Sequence, residues 1–283
     1  MAPHVYVWAK GWAADNANAD LPGWLESIRG SVERSDFARV FKRCYMITAV
    51  ILLYPFIRSL KKDSDPKEIK APLKTRLNPG PQGWKDLFIG FVYAVGYMGF
   101  LLLILLNLGW VKAQAGASIG SAVLSALTPM IMASVIEEWL FRGVLFALLI
   151  RSLSPWKAII GLSAFFAAVH FLKPHSAISE PIHSGSGLEL LGQIGVKFLH
   201  IEQFLGVFLT LFAIAIVLGY ARHKTGTLWL PIGLHAGWVF CVTTYNDLTV
   251  RTDKVVDIMY GQDIREGVLP LTFVIITGFA VAF

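Results

Sequence analysis

Long apolar runs separated by short polar breaks set the organisation of this chain. Leu87–Val111 is twenty-five residues without a charge. At about 1.5 Å of rise per residue, a helix of that length exceeds the ~30 Å hydrocarbon core of a bilayer. Ala113–Arg151 brings the chain back. Its small-residue stretch Gly116–Ala126 predicts a separate half-helix packed closely on a neighbour, and Pro129 predicts a kink or the start of the main helix. Trp156–Leu172, Phe204–Ala221, Leu228–Tyr245 and Val268–Phe283 read as further spans. Cys44–Ile57 is fourteen residues between arginines, about 21 Å as a helix, and reads as a short span. Lys173–Gln203 and Asn246–Gly267 read as polar connections. Before the first span, Pro3–Asp20 has no clear period. Leu21–Arg43 spaces Trp24, Leu25, Ile28, Val32, Phe37, Val40 and Phe41 for one face, which predicts an amphipathic helix at the membrane surface.

These elements make an all-α fold, a polytopic transmembrane helical bundle with about seven or eight membrane segments. The expected divisions are an interfacial segment 1–43, N-terminal membrane helices over 44–127 with a basic cytoplasmic loop 58–86, and an external loop with a final membrane helix over 248–283. Composition agrees. The chain is 55% hydrophobic and 16% charged, against about 25% charged in average soluble proteins.

The net charge of +6 is no nucleic-acid signature, because the bases flank membrane segments. Twelve Lys/Arg lie in 58–85, 151–157 and 222–227, against six in 111–116, 173–203 and 247–267. A positive-inside bias makes the first set cytoplasmic. Cys44 and Cys241 lie in apolar runs as small hydrophobes, with no disulfide framework. Met1–Trp12 lacks the apolar core of a cleavable leader. Neither GxGxxG nor GxxxxGK occurs. The placement expected is an integral, multi-pass protein of a bacterial-type cytoplasmic membrane.

One apolar stretch carries chemistry. Val135–Phe146, VIEEWLFRGVLF, holds Glu137, Glu138 and Arg142 in a run otherwise free of charge from Ala113 to Ile150. Each such residue at a bilayer centre costs about 2.5–3.5 kcal/mol on insertion scales. Glu138 and Arg142 are i and i+4 with the acid first, the better order for an ion pair. Arg142 then neutralises Glu138, and Glu137 stays available for chemistry. His170 and His235 lie in two further apolar runs, and buried ionisable groups of this kind usually face a cavity and pair with one another. A glutamate with two histidines supports hydrolysis in two ways. It can hold a divalent metal, zinc first, with Glu137, His170 and His235 as ligands. Alternatively, glutamate deprotonates water with help from one histidine while the other donates to the developing oxyanion. HExxH is absent, which argues against an ordinary zincin helix.

EExxxR (Glu137, Glu138, Arg142), FxxxH (Phe166, His170) and a final HAxx (His235, Ala236) on successive helices resemble the CPBP family. These are the type II CAAX prenyl endopeptidases and bacteriocin-processing intramembrane proteases. The resemblance covers about residues 128–247, which it marks as a catalytic core with an intramembrane polar cavity. It implies that Glu137 activates water and that His170 partners it at the water or metal. Glu138 and Arg142 are then support, His235 is oxyanion donor or ligand, and Phe166 shapes the cavity. The implied function is an endopeptidase cutting a membrane-associated, prenylated or lipid-anchored protein or peptide. Partners are membrane lipid and that substrate, with no nucleic acid.

One position departs from the pattern. The family carries Asn four residues after its last His, and here that residue is Val239, which cannot donate a hydrogen bond. Trp238 and Thr243 are the nearby donors. Val239 supports an alternative reading, a catalytically weakened membrane scaffold or immunity protein. A proton-coupled transporter is a third reading, without the internal repeats it would need. His175, His183 and His200 lack metal-ligand spacing and read as loop residues, and Trp8, Trp12 and Trp24 as interfacial aromatics.

Overall fold

The computed structural model describes residues 2–41, 44, 48, 51, 80–171, 181–199, 205–256, 258–260 and 267–282. Most of the expected Cys44–Ile57 span, the basic loop up to residue 79, His175 and His200 lie outside the described residues. In chain order the elements are α1 (Ala2–Asp15), α2 (Gly23–Glu33), α3 (Gly80–Asn107), β1 (Val111–Ala113) and α4 (Ile119–Glu138), followed without a break by a π-helical segment, π1 (Trp139–Leu145), and α5 (Phe146–Leu149). Then come α6 (Pro155–Val169), α7 (Ser186–Leu199), α8 (Leu205–Thr225), α9 (Trp229–Leu248), β2 (Thr249–Arg251) and α10 (Val268–Ala282). Among the described residues, α3, the continuous run Ile119–Leu149 and α8 are long and apolar enough to cross a membrane, and α6 and α10 are shorter apolar helices. The all-α class holds. Among the described residues, strands β1 and β2 pair antiparallel over three residues, with Lys112 opposite Val250.

Several elements differ from the sequence reading. Ile119–Glu138 is one helix with Pro129 inside it, because helices in apolar surroundings tolerate proline where neighbouring groups re-satisfy the freed backbone. The small residues do serve close packing: Ala122, Ala126, Ser134 and Glu138 form a buried stripe at four-residue spacing. The helix α3 starts at Gly80, inside the expected loop. Gly80 takes a positive φ of 48°, and Pro81 follows at the first turn, where its missing N–H costs nothing.

The chain divides into two compact units, Met1–Pro66 with His170–Ile201, and Lys67–Val169 with Glu202–Phe283. In the first, α1 forms where no period was legible, since its buried face uses small and scattered residues, Ala2, Pro3, Tyr6 and Ala13. Tyr6 meets Phe37 edge to face at 5.6 Å between ring centroids. The expected helix over 21–43 breaks after α2, because the Asp36 carboxylate accepts from the Arg39 backbone N–H at 2.7 Å and so starts a new helical turn. The helix α7 lies in what read as a connection. Leu190 and Ile194 bury one face of it, but Gly187, Gly192 and Gly195 dilute the pattern and lower helix propensity. His183 stands before α7, with its Nε2 3.0 Å from Glu189 Oε1 and its Nδ1 accepting from the Gly185 N–H.

In the second unit the apolar core joins Leu101 and Leu105 of α3, Leu218 of α8, Leu234 and Trp238 of α9 and Phe273 of α10. Helices α3 and α9 approach so closely that glycine is obligatory. A Cβ on Gly233 would sit 2.2 Å from the Leu87 carbonyl oxygen, and one on Gly237 would sit 2.6 Å from Ala94 Cβ. Across the seam, a Cβ on Gly90 would sit 2.8 Å from the Leu230 oxygen. Small residues four apart allow such backbone approach between helices in an apolar environment.

This seam generates a prediction. Gly233→Ala forces α9 away from α3 and destabilises the protein by about 1–3 kcal/mol, the usual cost of overpacking. Gly96→Ala, on the same α3 but with nothing within 4 Å of the added atom, leaves stability unchanged or slightly raised. Thermal unfolding of both variants in detergent checks this. Equal melting temperatures would remove the close approach as a determinant of the fold.

Candidate active site

Two helix faces converge on the ionisable cluster. On α4 the inward stripe of Ala122, Ala126 and Ser134 ends at Glu138, which is fully buried. On α9, His235 lies two residues from each seam glycine, about 200° round the helix from either. The glycines therefore seat α9 on α3 and leave His235 on the opposite side, where it meets Glu138.

One oxygen carries the cluster. Glu138 Oε1 accepts from Arg142 Nη1 at 3.0 Å and lies 2.8 Å from His235 Nδ1. Facing an ionised carboxylate, that nitrogen is the protonated one and donates. Glu138 Oε2 is buried and has no hydrogen-bond partner among the described residues. The Arg142 side chain is 1% exposed as a residue, and its Nη2 donates to the Ala215 carbonyl of α8 at 3.1 Å. Its guanidinium also lies 4.7 Å from the Phe166 ring centroid, a cation–π contact. Phe166 meets the His235 ring edge to face at 6.3 Å. The expected pairing of Glu138 with Arg142 is present, and Glu138 additionally orients His235.

The π segment was not foreseeable from periodicity. In it the Phe146 N–H reaches the Phe141 carbonyl, five residues back. Phe141, Arg142, Gly143 and Val144, four residues in succession, are all buried. A wider turn of this kind recurs at functional sites. Here it lets Arg142 face both Glu138 and α8.

Glu137 has a different environment. Its side chain keeps 32% of its surface, and its Oε2 is 3.9 Å from His235 Nε2. That separation is too long for a direct hydrogen bond and is the kind of gap a water bridges. The imidazole thus stands between two carboxylates, bonded to Glu138 and 3.9 Å from Glu137 Oε2, an oxygen that is buried although the Glu137 side chain as a whole is partly exposed. Val239 is one turn after His235, about 40° round the same face, and half-buried. Trp238, the nearer alternative donor, is built into the apolar core, and Thr243 is half-buried. His170 directly follows α6, is half-buried and belongs to the other unit, so the geometry of this cluster rests on Glu137, Glu138, Arg142, Phe166 and His235.

The metal expectation can be tested against these donors. His235 Nδ1 is taken by Glu138, which leaves His235 Nε2 and Glu137 Oε2 as two ligands. A catalytic zinc takes three from the protein, and among the described residues no group of three His, Cys, Asp or Glu is placed to hold a metal ion. The two donors do not complete such a set, and no step below runs through a metal.

Residues 119–241 match the family model described as type II CAAX prenyl endopeptidase Rce1-like. That stretch is similar to this family. It covers just under half of the chain, from the start of α4 into α9, and contains every residue of the cluster. No curated protein and no solved structure matches the chain. The family match supports a protease of the CAAX type, and the long apolar helices support an integral membrane protein.

Gly233 and Gly237 are the positions that sequence reading missed. The signal was present, a small-xxx-small pair bracketing His235, but its partner across the seam, Gly90, is identifiable only from the fold.

Removing Arg142 tests the cluster's energetics. Arg142→Ala leaves Glu138 buried and without its cation, at a cost of about 3–5 kcal/mol. Arg142→Lys keeps a charge but not the fork that spans Glu138 and Ala215, and falls between. Melting curves of the three proteins in one detergent give the ranking. An Arg142→Ala protein as stable as the parent would mean that the ion pair does not support this site.

Proposed function

We propose that the protein is a multi-pass intramembrane endopeptidase that hydrolyses a peptide bond in a membrane-associated, lipid-anchored protein or peptide. The observation that carries this reading is the His235 imidazole between two unlike carboxylates, one fully buried and bonded, one on a partly exposed side chain and 3.9 Å away. In the proposed reaction Glu137 takes a proton from water, and the resulting hydroxide attacks the scissile carbonyl carbon. The oxygen of that carbonyl gains the negative charge. Glu137 then gives its proton to the departing amine, which balances the step.

His235 stabilises the oxyanion through Nε2–H. Because Nδ1–H is held by Glu138, Nε2 donates only when the imidazole is protonated. Glu138 is thus a positioning residue, and Arg142 prevents two carboxylates from facing one cation. The inner face of the membrane, marked by the basic loops, is the proposed cytoplasmic side.

Val239 favours a second reading, a weakened relative that binds without cutting. The site-facing position one turn beyond His235 then lacks a donor, and loss of one oxyanion donor costs about 10²–10³ in rate.

Two experiments separate the readings. Membrane-protein termini are compared by mass spectrometry in cells expressing the parent or Glu137→Gln at matched levels. New termini present with the parent and absent with Glu137→Gln are expected, and identical termini would favour the binding reading. On a substrate found that way, Val239→Asn is expected to raise the cleavage rate by up to about 10²-fold. An unchanged rate would show that another group already holds the oxyanion.

A further inference from the structure

Helix α6 is short for its setting. It starts at Pro155 and ends at Val169, after which the chain turns. Its fifteen residues rise about 22 Å, against the ~30 Å hydrocarbon core of a typical bilayer. Elsewhere in the same unit α3 has 28 residues, the run Ile119–Leu149 has 31 and α8 has 21, or about 42, 46 and 32 Å. A helix longer than the core adapts by tilting, whereas tilt only shortens the reach of a short one.

The helix is held in place and open on one side. Ala158, Ile159, Leu162, Phe166 and Ala167 bury one face. Ile159 packs so tightly on α8 that a Cβ on Gly219 would sit 3.2 Å from Ile159 Cγ2. Trp156 stacks on Tyr220 of α8 at 5.7 Å between ring centroids and 20°. The opposite face exposes Ile160 at 51% and Phe165 at 54%, and in a membrane lipid chains meet it directly. Trp156 and the exposed Lys157 mark one membrane boundary on α6. The far end of the helix is level with the ionisable cluster. Phe166 lies ten residues beyond Trp156 and three before Val169. Its ring centroid is 4.7 Å from Arg142 Cζ and 6.3 Å from that of His235. Measured along α6, the cluster is about 15 Å from the Trp156 boundary and about 5 Å from the other end.

We propose that the exposed face of α6 fits a bilayer thinned locally to about 22 Å, and that its partner is lipid with short acyl chains. The fit presupposes the multi-pass reading. Length selects this partner. The packing on α8 fixes the helix, and the breaker before Pro155 and the turn after Val169 leave no further apolar turn to fill a thicker core. In a bilayer of ordinary thickness the cluster lies about 15 Å from either boundary. Thinning brings the nearer boundary to about 5 Å, and with it water, which the proposed hydrolysis consumes.

The test reconstitutes the full protein in vesicles of single phosphatidylcholines with acyl chains of about 14, 18 and 22 carbons. Two quantities are read in each, resistance to carbonate extraction and the melting temperature. Resistance is expected in all three, with the highest melting temperature in the shortest chains and a fall of about 5 °C or more to the longest. Lys157→Leu, at an exposed position, extends the apolar face of α6 toward its first turn and is expected to reduce that fall. Resistance in all three with the highest melting temperature at the middle or longest chain would overturn the proposal and leave the multi-pass reading standing. A fall that Lys157→Leu does not reduce would assign the preference to another helix and overturn it as well. Extraction of the protein from all three would overturn the multi-pass reading and this fit with it.

Discussion

A single buried carboxylate oxygen, Glu138 Oε1, accepts from both Arg142 and His235. An isolated charge in that position would be prohibitive in a low-dielectric interior. The surrounding fold supplies two donors from different directions. One comes along the same helix run and the other from α9. The small-residue stripe of α4 lets that helix approach, while the glycine seam of α9 packs on α3 and leaves His235 on the side toward Glu138. Without close backbone approach, side chains of ordinary length would hold Glu138 and His235 apart.

The site is therefore built from packing outward. Aromatic residues complete it. Phe166 covers the Arg142 guanidinium and touches the His235 ring, and this shields the ion pair from competing water. Glu137 is adjacent in sequence, yet about 100° of helix rotation leaves it partly open. Neighbouring glutamates thus acquire different environments, one fully buried and one on a partly exposed side chain. Val239 then sets the chemical tension in the site. It shares the His235 face, where a polar residue would assist an oxyanion.

Reading the chain from sequence located the run containing Glu137, Glu138 and Arg142, and the pairing of Glu138 with Arg142, because charges inside an apolar helix are rare and i,i+4 geometry is local. The apolar helices α3, α6, α8, α9 and α10 were legible because long runs without charge are likewise local. The helix α7 was not, since its glycines hide the period. Pro129 lies inside α4 and does not start it, because proline is tolerated within an apolar bundle. The π segment Trp139–Leu145 left no mark, as its cause is the reach of Arg142 to α8 and not any local preference.

The sequence by itself determined a membrane-embedded helical protein with buried acids, an arginine and histidines in a family-like order. Those properties follow from hydropathy and from spacing along one helix. Only the tertiary structure decided which carboxylate holds His235, how the glycines of α9 leave that histidine on the side toward α4, and that α8 offers the Ala215 carbonyl to Arg142. Each of these is a contact between residues far apart in the chain, and such contacts depend on how helices pack, which no single helix encodes.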